Sequence, residues 1–92
     1  MIRTFRHADL AKLWEIGRPL QYKMDIANDI IRILDILDSS ERAQDADFAG
    51  LRWDSWQEHT QLRYGITLSD RWLISYSWDE KDAVDVDFET IN

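Results

Sequence analysis

The spacing of apolar residues changes period once along this chain, near Leu51, and that change limits the fold more than any other feature. Before it, Ile26, Ala27, Ile30, Ile33, Leu34 and Leu37 recur at steps of three and four, the pattern of an amphipathic helix. After it the step is two: Tyr64, Ile66 and Leu68, then Trp72, Ile74, Tyr76 and Trp78, then Val84, Val86 and Phe88. A step of two puts successive side chains on opposite faces of a sheet. With 92 residues there is room for one domain, 1–92, so helices and strands share one core. The class is therefore α+β, with helices packed on one face of a mainly antiparallel sheet.

Local signals fill in the order of elements. Ile2 to Phe5 alternates and predicts a short strand. Asp9 opens a helix over 9–16 carrying Leu10, Leu13, Trp14 and Ile16, and Gly17-Arg18-Pro19 ends it. A second helix is predicted over 23–38, where Ile31 and Ile36 widen the apolar stripe and imply cover on more than one side. Residues 38–50 read as a polar connector with room for one helical turn. Leu51 to Trp56 predicts an edge strand, and Gln57 to Leu62 a turn or flexible loop. Three strands of an antiparallel meander follow over 63–89, with reversals at Ser69-Asp70 and Asp79–Asp82. Arg71, Leu73, Ser75 and Ser77 are expected on the outward face, with Asp85, Asp87 and Glu89; Val84 is expected inward with Val86 and Phe88. The full order is β-α-α-β-β-β-β.

Composition narrows the chemistry. No cysteine is present, which excludes disulfides, thiolate zinc sites and cysteine nucleophiles. The two histidines, His7 and His59, have no neighbouring ligands at metal spacing, so neither a metal nor another cofactor is expected. Eighteen acids against eleven basic residues give a net charge of −7, which on average repels nucleic acid. The charge is uneven. Residues 1–23 carry Arg3, Arg6, Lys12, Arg18 and Lys23 against Asp9 and Glu15, so any anion-binding face is expected near the N-terminal segment. Residues 79–89 carry six acids against Lys81 alone. The first residues lack the apolar stretch of a signal peptide, and no run reaches the roughly 18 apolar residues of a membrane span. The expected location is the cytoplasm, with no membrane partner.

Met1-Ile2-Arg3-Thr4-Phe5-Arg6, the two helices, and Ser69-Asp70-Arg71-Trp72-Leu73-Ile74-Ser75-Tyr76-Ser77-Trp78 before a Val-Asp-Val strand resemble the HigB-type toxins of the RelE/ParE superfamily. The resemblance runs over essentially the whole chain. It implies a RelE-type fold and the toxin of a type II toxin–antitoxin system, a ribosome-dependent mRNA interferase. As partners it implies the ribosome, messenger RNA and a cognate helix-turn-helix antitoxin, with DNA reached only through the antitoxin. Trp72 matches the Trp of a family Trp-Arg pair, and Leu73 stands where the Arg would be. The family's Asp-Tyr-His ending is replaced by Thr90-Ile91-Asn92. A second reading of the same departures is a catalytically silent toxin-fold protein that acts by binding another protein.

Metal-free RNA cleavage needs a base for the 2′-hydroxyl, a cation for the phosphorane and an acid for the leaving oxygen. Arg63 and Arg71 are the candidate cations on the outward face, and His59, in the predicted loop, is the candidate acid or base. The plainer assignments are cross-strand pairing of both arginines with Asp85, Asp87 or Glu89, and a solvated loop histidine. His7, just before the first helix, reads as a cap-region or surface residue. Trp53 and Trp56 are three apart on one strand and so face opposite ways; the one outside the core is placed to anchor a protein partner or to stack a base.

Overall fold

The computed structural model describes residues 1–16, 24–47, 51–68 and 71–90. The expected breaker at Gly17-Arg18-Pro19, the reversal at Ser69-Asp70, the final Ile91-Asn92 and the side chains of Ile26 and Ala27 lie outside the described residues. Helix α1 spans Ala8–Ile16 and helix α2 spans Met24–Ser39. His7 caps α1: its Nδ1 accepts the Leu10 backbone N–H at 3.2 Å, while its carbonyl takes the first intrahelical bond from Ala11. The end of α2 is closed by hydroxyls, with Ser39 and Ser40 both donating to the Ile36 carbonyl. A single 3₁₀ turn over Ala43–Ala46 occupies the connector. The Asp45 carboxylate accepts the backbone N–H groups of Glu41 and Arg42 and sits below the ordinary carboxylate range for that reason.

Four strands follow: β1 (Arg52–Glu58), β2 (Gln61–Thr67), β3 (Trp72–Asp79) and β4 (Asp82–Thr90). They form one antiparallel sheet in chain order, β1-β2-β3-β4. The α+β class and both helices match the sequence reading. The first strand does not form as such. Residues 1–6 instead lie parallel to β4, joined at the bridges Ile2↔Ala83 and Phe5↔Val86. The loop expected over 57–62 is also absent, because β1 and β2 run up to a two-residue turn at His59-Thr60. His59 takes a φ of 57° there, which a tight hairpin demands of its first loop residue.

Both helices cover one face of the sheet. Leu10 and Leu13 from α1, and Ile30, Ile33, Leu34 and Leu37 from α2, pack with Ile66, Ile74, Tyr76, Val86 and Phe88. Trp53, Tyr64 and Tyr76 stack in sequence across β1, β2 and β3, with Trp72 stacked on Phe88 beside them. The buried Tyr76 hydroxyl accepts from Trp53 Nε1 at 2.8 Å and donates to the Ala43 carbonyl at 2.9 Å, so it ties β1 and the 3₁₀ turn to the sheet. Burial raises the pKa of that phenol above its ordinary value. Helix α2 is not covered all round: Ile36 is half-buried, and Ile31 faces solvent. No described helix is long and apolar enough to cross a membrane.

One irregularity resets β4. The register slips between Ser75↔Asp87 and Ser77↔Val84, so Tyr76 faces two residues where one is expected. Asp85 absorbs the extra residue at φ 52°. The slip moves Val84 off the Val86 and Phe88 face and puts Ala83 into the core in its place. The inward position expected for Val84 fails because strict alternation cannot survive a bulge.

Candidate functional site: the helix-free face of the sheet

On the face away from the helices, Trp56 and Arg63 are register partners in β1 and β2, with Ser75 and Ser77 beside them in β3. Arg63 stands at the centre with no exposed surface. Its Nη1 donates to Ser77 Oγ at 3.1 Å and to the Asp85 carbonyl at 2.9 Å, and its Nη2 donates to Ser75 Oγ at 2.8 Å. Ser75 passes the connection on by donating to the Glu89 carboxylate. The bulge explains the carbonyl contact. Asp85 donates its N–H to Thr4 Oγ1, and its left-handed backbone turns the carbonyl toward the guanidinium.

All three of these acceptors are neutral. Among the described residues no carboxylate forms an ion pair with Arg63, and its buried Nε has no hydrogen-bond partner. Burial pushes this guanidinium below its usual range and the charge of Arg6 adds to that, while Glu58, Glu89 and Asp85 push it back. An arginine keeps its proton through such a shift, so a positive charge is fixed at the centre of the face. Arg6 joins the site from the N-terminal segment, with Nη1 3.4 Å from Glu58 and Nη2 3.4 Å from Gln61. Trp56 and Leu73 close over Gly65. A Cβ built on Gly65 would lie 2.5 Å from Leu73 Cδ1 and 2.8 Å from the Trp56 ring, so only glycine lets these two side chains settle there.

The structure does not gather the three candidates into one constellation. His59 is exposed at the turn before β2, and Arg71 is exposed just before β3, at the other end of β2. Arg71 is four residues along the chain from Ser75, the nearer of the two serines that Arg63 bonds, roughly 13 Å at strand rise. In the basic N-terminal segment Arg3 and Arg6 are engaged, while Lys12 is exposed on α1. Arg3 pairs with Asp79 and Asp82, and Arg6 with Glu58. Arg18 and Lys23 lie outside the described residues.

Sequence reasoning missed Ser75, Ser77 and the Asp85 carbonyl as partners of Arg63, and Arg6 as the second cation beside it. The alternation of Ser75 and Ser77 with Ile74, Tyr76 and Trp78 carried a usable signal: two hydroxyls on one strand face beside an arginine form a ready hydrogen-bond ladder. No sequence signal marked the bulge. Among the described residues no group of histidines and carboxylates could hold a metal ion. Neither a protein-family model nor a curated protein matches this chain.

Proposed function

We propose that this chain is the toxin of a type II toxin–antitoxin module, a HigB-like member of the RelE/ParE superfamily that cleaves messenger RNA on the ribosome. The observation that carries the reading is the uncancelled Arg63 charge, held on the bare sheet face by neutral acceptors. A fixed guanidinium in a dry site is the group that phosphorane stabilisation needs. Glu58, Glu89 and Asp85 are the carboxylates whose charges act on it, and a carboxylate is competent to take a 2′-hydroxyl proton. Arg71 and His59, at opposite ends of β2, have positioning contacts with the ribosome as their place in this reading, and not chemistry. A cytoplasmic helix-turn-helix antitoxin, with operon DNA bound through it, completes the module.

The second reading, a toxin-fold protein that acts by binding another protein without catalysis, also has an observation behind it. Arg63 has no exposed surface, so RNA reaches it only after the side chains that cover it move. Induction of the chain alone in bacterial cells, with growth followed and messenger-RNA ends mapped, separates the two. The interferase reading expects growth arrest with ribosome-dependent cleavage, lowered about 10²–10³-fold by Arg63→Lys, which keeps the charge and loses the fork. A folded wild-type chain that leaves growth and transcripts intact rejects the interferase and leaves the binding protein.

A further inference from the structure

The two edges of the sheet are finished differently. Residues 1–6 cover the outer edge of β4. No described segment pairs with the outer edge of β1, and no residue of β1 is buried. An open edge presents unpaired N–H and C=O groups to any second strand. Natural edges are blunted by charged side chains, lysine above all, by proline or by a bulge. Arg52–Glu58 has no lysine, proline or bulge, and its three charges, Arg52, Asp54 and Glu58, are of both signs. They bar a strand that sets like charges across and admit one that sets opposite charges across.

We infer that β1 pairs antiparallel with β1 of a second copy of this chain, on a two-fold axis through Ser55, to make one continuous eight-stranded sheet. The sequence Arg52-Trp53-Asp54-Ser55-Trp56-Gln57-Glu58 is self-complementary about that axis. Arg52 of each copy falls opposite Glu58 of the other, Trp53 opposite Gln57, and Asp54 opposite Trp56. Like faces stay together, because a perpendicular two-fold axis keeps the helices of both copies on the same side. The charges also choose the register. A slip of two residues one way sets Asp54 against Asp54, and the other way sets Asp54 against Glu58. A slip of one residue mixes the two faces. Among registers that pair five or more residues of β1, the pairing about Ser55 alone places opposite charges directly across, twice per dimer. The diagonal approach of the two Asp54 side chains is offset by Arg52, whose Nε lies 3.0 Å from Asp54 in each chain. The two Trp56 rings stand diagonally on the helix-free face, within reach of each other. Seven paired residues a side make a small interface, so the association is weak and depends on concentration. It does not depend on the toxin reading.

Sedimentation equilibrium of the full chain tests this. The wild type is expected to pass from monomer to dimer as concentration rises. Arg52→Glu and Glu58→Arg should each weaken the dimer about tenfold or more, since each turns two attractive pairs into repulsive ones. An equimolar mixture of the two variants should recover association, because the introduced glutamate of one chain then faces Glu58→Arg of the other. Circular dichroism of each variant checks its fold, because Arg52 also pairs with Asp54 in its own strand and Glu58 with Arg6 of its own chain. The recovery in the mixture is the readout that loss of these intrachain pairs does not produce. A wild type that stays monomeric at every concentration overturns the inference, including one whose β1 edge is instead taken by a strand of another protein. A dimer unmoved by either charge reversal, or a mixture that does not recover, overturns it as well.

Discussion

Each face of this sheet holds fully buried residues, and the two hold them by opposite means. Toward the helices, Ile66, Ile74 and Val86 lose all exposure to Leu and Ile side chains of α1 and α2. Away from them, Arg63 and Ser75 lose all exposure as well, and Ser77 is 2% exposed. The first face is stable because apolar area leaves water, a contribution that scales with area and needs no particular geometry. The second is stable only as far as its donors find acceptors, because burying an arginine is costly unless its N–H groups are satisfied. Three of its five N–H groups meet an acceptor, and Nε meets none. Burial therefore says nothing by itself about which force is acting, and the two faces should respond to mutation in different ways.

The helix-covered face should fail hardest. Ile33→Ala removes a fully buried branch of α2 and is expected to cost about 2–5 kcal/mol, a large share of what a domain of this size has. Urea unfolding followed by tryptophan fluorescence would measure it, and a shift under 1 kcal/mol on the order of a surface change would mean that α2 presents another face. The bare face should fail less and, unlike the core, should be repairable. Arg63→Ala leaves two hydroxyls and the Asp85 carbonyl without their donor, at about 1–3 kcal/mol. Arg63→Met with Ser75→Ala and Ser77→Ala removes donor and side-chain acceptors together and should recover to within about 1 kcal/mol of wild type. If the triple variant is as unstable as Arg63→Ala, the guanidinium stabilises the face in a way that hydrogen-bond accounting misses.

The contrast also explains what could be read from the sequence. Ile30, Ile33, Leu34 and Leu37 on α2 and Ile74, Tyr76 and Phe88 in the strands were legible because apolar burial follows a fixed period. His7 was legible as a cap because it stands just before a helical run. The polar face was half legible. Arg63 could be assigned to the outward side, since alternation fixes the face of a strand residue. Its burial could not, since that depends on which acceptors neighbouring strands supply, and registry across strands is a tertiary property. Leu73 and Trp56 over Gly65 are another such case: three residues on three strands that meet only once the sheet exists. Val84 shows the limit most directly, because a single extra residue at Asp85 inverted the alternation N-terminal to it.

The smallest expected effect is the one that separates the bulge from its side chain. Asp85 holds a φ of 52°, which costs most non-glycine residues roughly 1–2 kcal/mol and aspartate less. Its hydrogen bonds on the bare face are made by the backbone, the N–H to Thr4 Oγ1 and the carbonyl to Arg63, and its carboxylate adds only a charge acting at a distance. Asp85→Gly keeps both groups and relieves the backbone, while it adds freedom to the unfolded chain worth about 0.4–1 kcal/mol. The two effects oppose each other, so stability should stay within about 0.5 kcal/mol of wild type. Asp85→Val is the matched control. A β-branched residue resists φ > 0, so the bulge should open, the carbonyl should leave Arg63, and stability should drop by about 1–2 kcal/mol. Thermal unfolding of the two variants side by side reads the difference. Should Asp85→Gly lose as much as Asp85→Val, the carboxylate itself holds the Arg63 charge in place, and the bare face would be an electrostatic pair built through the bulge, where the geometry shows a backbone cradle.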